Sequence, residues 1–394
     1  MLKRELQAYI EKVATYYPAV AILGPRQSGK TTLAQITFPN HRYVSLEDIE
    51  TRRFAQQDPR GFLETYHNQF GIILDEFQHV PDLLSYIQTV VDKNKKLGYF
   101  ILTGSENFLM NQAISQSLAG RIAITTLLPF SISELKDNNI MPEAINELYV
   151  KGFYPPLYTR QVPPDIWYPD YIQTYIERDI RQLAQVADLS LFQMFMQLCA
   201  GRCGQLLNVS SLANDCGISD TTARRWITLL QASYIIFLLP PHHNNLGKRL
   251  TKSPKLYFFD IGLMRALLKI PHEQLSTHHL RGNFFESLVI ADLVKQYTNQ
   301  GKRPSLYFWR DHTGNEVDCI IEQGSQLVPI EIKSGQTVQS DFFKGLEYYQ
   351  NLAQNAAPTG YIVYGGKEIQ KRSRGTVIPW NNIDTLVASS FIAL

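Results

Sequence analysis

The alternation of apolar and polar positions divides the chain into recognisable pieces. Leu2 to Tyr16 has the spacing of an amphipathic helix. Tyr17 to Leu23 is an apolar run of strand length, and Thr32 to Ile36 suits the start of a helix. Val44 to Phe54 opens as a strand and becomes a polar helix, while the runs ending at Leu74 and Leu102 predict two more strands. A helix is expected from about Asn107 to Leu118. Between Pro142 and Pro169, the pairs Pro155-Pro156 and Pro163-Pro164 forbid continuous helix or central strand and predict a linker or rigid crossover. Leu207 to Asp215, with a serine as cap, and Asp220 to Ala232 read as helices about the turn Cys216-Gly217-Ile218-Ser219. Strand-like runs follow at Tyr234 to Leu239 and Lys255 to Phe259. Nearer the C-terminus, a helix opens at Arg281, and strands are expected at Leu306 to Arg310 and Glu316 to Ile321. Leu327 to Lys333 then returns antiparallel through a turn at Gly324.

Composition narrows this picture only a little. A chain of 394 residues exceeds one ordinary core and implies two or three domains. With 44% hydrophobic and 19% charged residues it has the composition of a soluble globular protein. No run approaches the roughly 18 apolar residues that span a bilayer, and the start has no signal-peptide core, so a cytoplasmic location with no membrane partner is expected. Cys199, Cys203, Cys216 and Cys319 do not form a disulfide framework in a chain this long, and the first two, one helical turn apart, read as core thiols. The net charge of +2 identifies no partner, because a basic patch can hide in a balanced total.

Candidate chemistry changes the picture more. In Gly24-Pro25-Arg26-Gln27-Ser28-Gly29-Lys30-Thr31-Thr32, two glycines bound a loop between strand and helix. Such a loop turns main-chain N–H groups onto a phosphate, Lys30 reaches the β- and γ-phosphates, and the Thr31 hydroxyl ligates Mg²⁺. The strand at Ile72 ends in Asp75-Glu76, which reads as a Mg²⁺ holder followed by the base that activates water. The next strand ends in Thr103-Gly104-Ser105. Thr103 or Ser105 is a candidate γ-phosphate sensor, and Ser105 is equally a helix cap. Arg121 either presents its charge to a neighbouring copy's nucleotide or is a solvated surface residue. Arg178 and Arg181 likewise either face the nucleotide or pair with nearby carboxylates.

These elements together resemble the AAA-type P-loop ATPases. Leu127 to Leu135 and Tyr171 to Ile180 are further similar to the signature segments of a bacterial and archaeal family in which such a module is fused to a C-terminal domain of unknown function, DUF4143. The resemblance implies binding of ATP and ADP, with Mg²⁺ as cofactor and a homo-oligomer as one form of assembly.

Residues 205–256 follow the pattern of a winged helix-turn-helix, with Thr221, Thr222, Arg224 and Arg225 outward on the second helix. A loop bearing His242, His243, Lys248, Arg249 and Lys252 forms a basic wing suited to DNA phosphates. The alternative is a module that packs domains or mediates self-association. In the C-terminal third, strand alternation puts Glu331 and Lys333 on one face, with Asp318 opposite, so the carboxylates converge where a divalent cation would sit between them. Asp318, Glu331 and Lys333 resemble the D…ExK core of the PD-(D/E)xK nucleases, and Glu286 resembles their helical glutamate. Val317 stands where a proline often precedes the aspartate. The resemblance implies a second Mg²⁺ or Mn²⁺ at this site, either for cleavage or as the relic of a fold kept for docking.

The resulting expectation is an α/β protein with an AAA-type P-loop core at 1–140, a linker and helical lid at 141–190, a winged helix-turn-helix at 191–270 and a restriction-endonuclease-like domain at 271–394. It would be a DNA-associated ATPase. The rival reading is a nucleotide-gated switch that binds a protein partner and cleaves nothing.

Overall fold

The computed structural model describes residues 2–105, 114, 117–176, 188–242, 253–353, 356–357 and 359–387. Among these, the N-terminal third holds a five-stranded parallel sheet of β1 (Ala19–Leu23), β2 (Arg42–Ser45), β3 (Ile72–Asp75), β4 (Phe100–Gly104) and β5 (Ile122–Thr126), in the order β2-β3-β4-β1-β5. β1 is buried throughout because helices cover both faces of the sheet. Its Ala19, Ala21 and Leu23 pack in one cluster and its Val20 and Ile22 in another. Register sets the edge where chemistry can occur: Leu23 lies beside Gly104, and Asp75 lies between Ser45 and Thr103. Open parallel sheets bind ligands at this carboxyl edge. The expected helix at 107–118 falls mostly outside the described residues.

The proline-rich stretch, expected as a linker or rigid crossover without continuous helix, forms three short helices. Ile145–Lys151, Pro156–Thr159 and Pro164–Tyr171 are short helices, and Pro156 and Pro164 start theirs at the position where a missing N–H costs nothing. Leu148, Leu157 and Tyr168 of these helices, with Tyr154 between the first two, enter a hydrophobic cluster that continues into the C-terminal third, so the segment is part of a core.

Helices Val209–Cys216 and Asp220–Ala232 flank Gly217, whose φ is 70°. The first cap is Asn208, whose side chain accepts from the Ser211 N–H, where a serine was expected. β6 (Ile236–Leu239) pairs antiparallel with β7 (Lys255–Phe258); His243, Lys248, Arg249 and Lys252 lie outside the described residues. The C-terminal third carries a six-stranded sheet of β8 (Leu306–Arg310), β9 (Glu316–Gln323), β10 (Gln326–Lys333), β11 (Tyr361–Tyr364), β12 (Gln370–Arg372) and β13 (Gly375–Pro379), in the order β12-β13-β11-β10-β9-β8. β9 and β10 are antiparallel, whereas β10 and β11 are parallel. All four cysteines are free and buried, and no helix among the described residues is long and apolar enough to cross a membrane.

The helix Arg281–Asn299 packs against this sheet and is buried on nearly every side. It carries Asp292 and Lys295 into the interior, where Asp260 and Glu134 also lie near the lysine. Burial pushes Lys295 down to about 8, against the opposing pull of Asp260 and Asp292, and its ammonium sits 3.6 Å from the Phe153 ring centre. An unfolded chain, with lysine near 10.5, therefore holds more protons across that window than the folded one. The contribution of Lys295 to stability is expected to rise with pH from about 8 towards 10.5, so the wild type should gain on Lys295→Met across that window. Urea unfolding midpoints across the window measure it; an unchanged slope in the variant would contradict the assignment.

Candidate functional site

The loop from Gly24 to Lys30 owes its shape to three left-handed residues, Gly24 (φ 148°), Gln27 (φ 64°) and Gly29 (φ 94°). At Gly24 a side chain is excluded outright, because a Cβ would lie 2.2 Å from the Leu127 carbonyl oxygen. Gly29 caps the helix Lys30–Thr37, so that helix presents its N-terminus to the loop. Lys30 is buried and turns inward, its Nζ donating to the carbonyls of Gly24 (3.1 Å) and Pro25 (2.8 Å). Around the loop opens a cleft of about 810 Å³, whose lining includes Arg4, Arg26, Thr32, Glu76, Phe130 and Arg160.

Asp75 ends β3 beside Thr31 and is held by three hydroxyls. Thr31 donates to its Oδ1 at 2.8 Å, Tyr43 donates to its Oδ2 at 2.9 Å, and buried Thr103 also donates to Oδ1. Burial and the facing Asp75 carboxylate push the Tyr43 phenol up to about 12, so it stays protonated as a donor. Glu76 follows in a left-handed conformation (φ 54°), and its carboxylate accepts from the Gln78 amide, which also donates to Ser105 Oγ at 3.2 Å. Glu47, Glu76 and His79 each bring one ligating atom within 4.8 Å of the others, with His79 Nε2 3.0 Å from Glu47. The cradle at 24–31, set at a helix N-terminus, and the pair Thr31–Asp75 fit a nucleotide with Mg²⁺ in donor chemistry, since a hydroxyl and a carboxylate meet at one place.

The structure thus brings Lys30, Thr31, Asp75, Glu76 and Thr103 to one edge. Arg121 is apart from them, paired on the surface with Asp92 at 2.6 Å. Arg178 and Arg181 lie outside the described residues. Sequence reasoning missed Tyr43, Gln78 and Arg4. Arg4 is the most connected: it donates to the carbonyls of Ser28 (2.7 Å) and Leu128 (2.6 Å), pairs with buried Glu134 at 2.8 Å, and lies over the Phe130 ring. Glu134 in turn closes a capping box with Ser131. Tyr171 of the proline-rich stretch reaches the same loop, donating to the Arg26 carbonyl at 3.4 Å.

A second cluster lies on the C-terminal sheet. Asp318 Oδ2 accepts from the Ile332 N–H at 2.8 Å and from Lys333 at 3.3 Å, and Lys333 Nζ is 2.5 Å from Glu331. Burial raises Asp318, but Lys333 and Lys255 outweigh it and hold the carboxyl below its usual range. Burial and the adjoining Asp318 push Glu331 well above that range. Glu286, on the helix Arg281–Asn299, accepts from Lys255 (2.9 Å) and Tyr257 (2.5 Å), and burial raises it despite the lysine. Asp318, Glu331 and Lys333 are therefore in contact, whereas Glu286 is held by groups from β7. Two converging carboxylates beside a lysine fit a divalent cation in donor chemistry.

Breaking a buried ion pair leaves an uncompensated charge and costs about 3–5 kcal/mol. Arg4→Ala should therefore destabilise the fold on that order and weaken nucleotide binding, although Arg4 belongs to no phosphate-binding motif. In a double-mutant cycle with Glu134→Ala the two losses should fall well short of additivity; additive losses would show that the pair is not what holds the loop.

Residues 16–136 match the model of an AAA domain, residues 142–274 that of a domain of unknown function, DUF8612, and residues 281–383 that of another, DUF4143. An uncharacterised protein of Mycobacterium tuberculosis is 29% identical over 341 residues, 85% of this chain and 74% of the relative; one of Mycobacterium bovis matches with the same figures. Among solved structures, a Walker-type ATPase of Pyrococcus abyssi is 15% identical with a TM-score of 0.43, covering 68% of this chain and 95% of its own. The RuvB Holliday junction branch migration motor of Thermotoga maritima is 17% identical with a TM-score of 0.30, covering 60% and 88%. The chain thus combines a match to an AAA domain with a match to a C-terminal DUF4143 domain, the arrangement of an AAA-type ATPase fused to such a domain.

Proposed function

We propose that the chain is a Mg²⁺-dependent ATPase that works on DNA, and the observation that carries the reading is the convergence of Thr31, Asp75 and Thr103 at the mouth of the Gly24–Thr31 cradle. Lys30 and the loop amides hold the β- and γ-phosphates, and Thr31 and Asp75 hold Mg²⁺, which supplies charge neutralisation when bound. Glu76 takes the proton of the attacking water on its carboxylate, oriented by Gln78, while Thr103 keeps Asp75 aimed.

In this reading the helix pair Val209–Cys216 and Asp220–Ala232, with the β6–β7 hairpin, is a winged helix-turn-helix whose exposed Thr221, Arg224 and Arg225 meet phosphates. The sheet bearing Asp318, Glu331 and Lys333 is a PD-(D/E)xK nuclease-like domain. Because Arg121 is paired away from its own cradle, any part it takes in turnover comes from a neighbouring copy. The second reading, a nucleotide-gated switch with a protein partner and no cleavage, draws on the in-chain lysines that already neutralise the Asp318 cluster.

Lys30→Ala should abolish nucleotide binding, whereas Glu76→Gln should bind ATP and lose turnover. Wild-type turnover by Glu76→Gln would remove the role given to that carboxylate. DNA should raise ATP turnover several-fold, with a strong salt dependence; turnover indifferent to single-stranded, duplex and branched DNA favours the switch. Turnover per chain should climb with protein concentration and fall in Arg121→Ala; a rate independent of concentration removes the neighbouring-copy role.

A further inference from the structure

The C-terminal cluster holds more charge than the D…ExK pattern assigns to it. Glu286, Glu316, Asp318 and Glu331 face Lys255, Lys333 and Arg310 across a few ångströms. Lys255 does not belong to the six-stranded sheet. It opens β7, and the β6–β7 hairpin is stitched to β8 where the Phe308 N–H donates to the Pro240 carbonyl (3.1 Å) and the His242 N–H donates to the Phe308 carbonyl (2.7 Å).

That docking carries the ammonium inside. Lys255 is 3% exposed, lies 2.9 Å from Glu286 Oε1, and also pairs with Glu316. Tyr257, two residues on and so on the same face of the strand, donates to the same Glu286 oxygen at 2.5 Å. Glu286 is thus committed to the hairpin. Glu331 differs: it is 4% exposed, its Oε2 takes Lys333, and its Oε1 has no hydrogen-bond partner. A buried carboxylate oxygen left this way is one that a cation would satisfy.

We propose that Lys255 is an in-chain cation that competes with a divalent metal ion for this carboxylate cluster, so that the docked β6–β7 hairpin holds the centre in its metal-poor form. The inference rests on reading Asp318, Glu331 and Lys333 as a nuclease-like metal site. Lys255 acts electrostatically on Asp318, so a metal ion held between Asp318 and Glu331 meets its repulsion in addition to that of Lys333, in a buried setting where screening is weak. Glu286 is free to ligate only when the ammonium leaves it. Removing the charge takes away a repulsion and releases a ligand, and both effects act in the same direction.

The test uses the full chain, stripped with a chelator and without nucleotide, titrated with Mn²⁺ alone while free Mn²⁺ is read by electron paramagnetic resonance. Lys255→Met should bind at least about tenfold more tightly than wild type, a factor equal to about 1.4 kcal/mol. The gain should vanish in Lys255→Met/Asp318→Asn, which separates this centre from the Thr31–Asp75 site, and Lys255→Arg should stay at the wild-type level. If Lys255→Met fails to fold, Lys255→Gln, which removes the charge but keeps an amide donor for Glu286, takes its place, with a smaller gain over wild type expected from the lost repulsion alone.

Affinity at or below wild type in the neutral variant overturns the proposal, as does a gain that survives Asp318→Asn. A gain in Mn²⁺ affinity without cleavage of any DNA supports the role of Lys255 and removes the nuclease reading. Equal cleavage by wild type and the neutral variant does the reverse.

Discussion

The structure depends on one helix that has no solvent face to spare. Arg281–Asn299 buries 14 of its 19 residues, polar ones included, so most of its polar groups rely on partners within the protein. Asp292 accepts from the Ile132 N–H at 2.6 Å and from Gln296 at 2.5 Å, and Asn299 donates to Glu5 at 3.0 Å. From Ile132 the contacts run through the capping box of Glu134 to Arg4 and on to the Ser28 carbonyl. One turn and a half back along the same rod stands Glu286. The contacts that lead to the Gly24–Lys30 loop and those that lead to Glu286 therefore leave one helix only about 9 Å apart along its axis.

The two charged centres solve the same electrostatic problem differently. Asp75 is surrounded by neutral hydroxyls from Thr31, Tyr43 and Thr103, which stabilise a carboxylate without cancelling its charge and leave it able to attract a cation. The C-terminal carboxylates face ammonium groups, which cancel charge directly. Crowding explains the contrast. Asp75 stands alone among hydroxyls, whereas Glu286, Asp318 and Glu331 come together, and gathering several like charges in a largely buried place is tolerable only when cations or protons come with them.

What the sequence made legible follows from range. The phosphate loop, the Asp75-Glu76 pair and the β9–β10 hairpin are written in local spacing, because strand alternation and glycine punctuation act over a few residues. The hydroxyl of Thr103 could be suspected for the same reason, since adjacent parallel strands end together. Arg4 and Lys255 could not. Arg4 meets Ser28 and Glu134 only after 24 and 130 residues of chain have folded, and Lys255 meets Glu286 31 residues away. Nothing in the pattern around either marks it as other than a surface base. The proline-rich stretch misled for the opposite reason: local chemistry correctly broke the helix, but Pro156 and Pro164 then began new ones, and burial of Tyr154 and Tyr168 drew the segment into a core.

Gly345, in the helix Lys344–Leu352, illustrates how a silent position can report on a buried one. A Cβ there would fall 2.0 Å from Glu331 Oε1 and 2.8 Å from the Glu316 carbonyl oxygen, so even alanine would collide with the carboxylate. The absence of a side chain is the space in which Glu331 stands. In any related chain, the letter found at this helix position becomes a diagnostic: glycine is compatible with an acidic group tucked beneath, and a larger residue implies that the pocket has been given up.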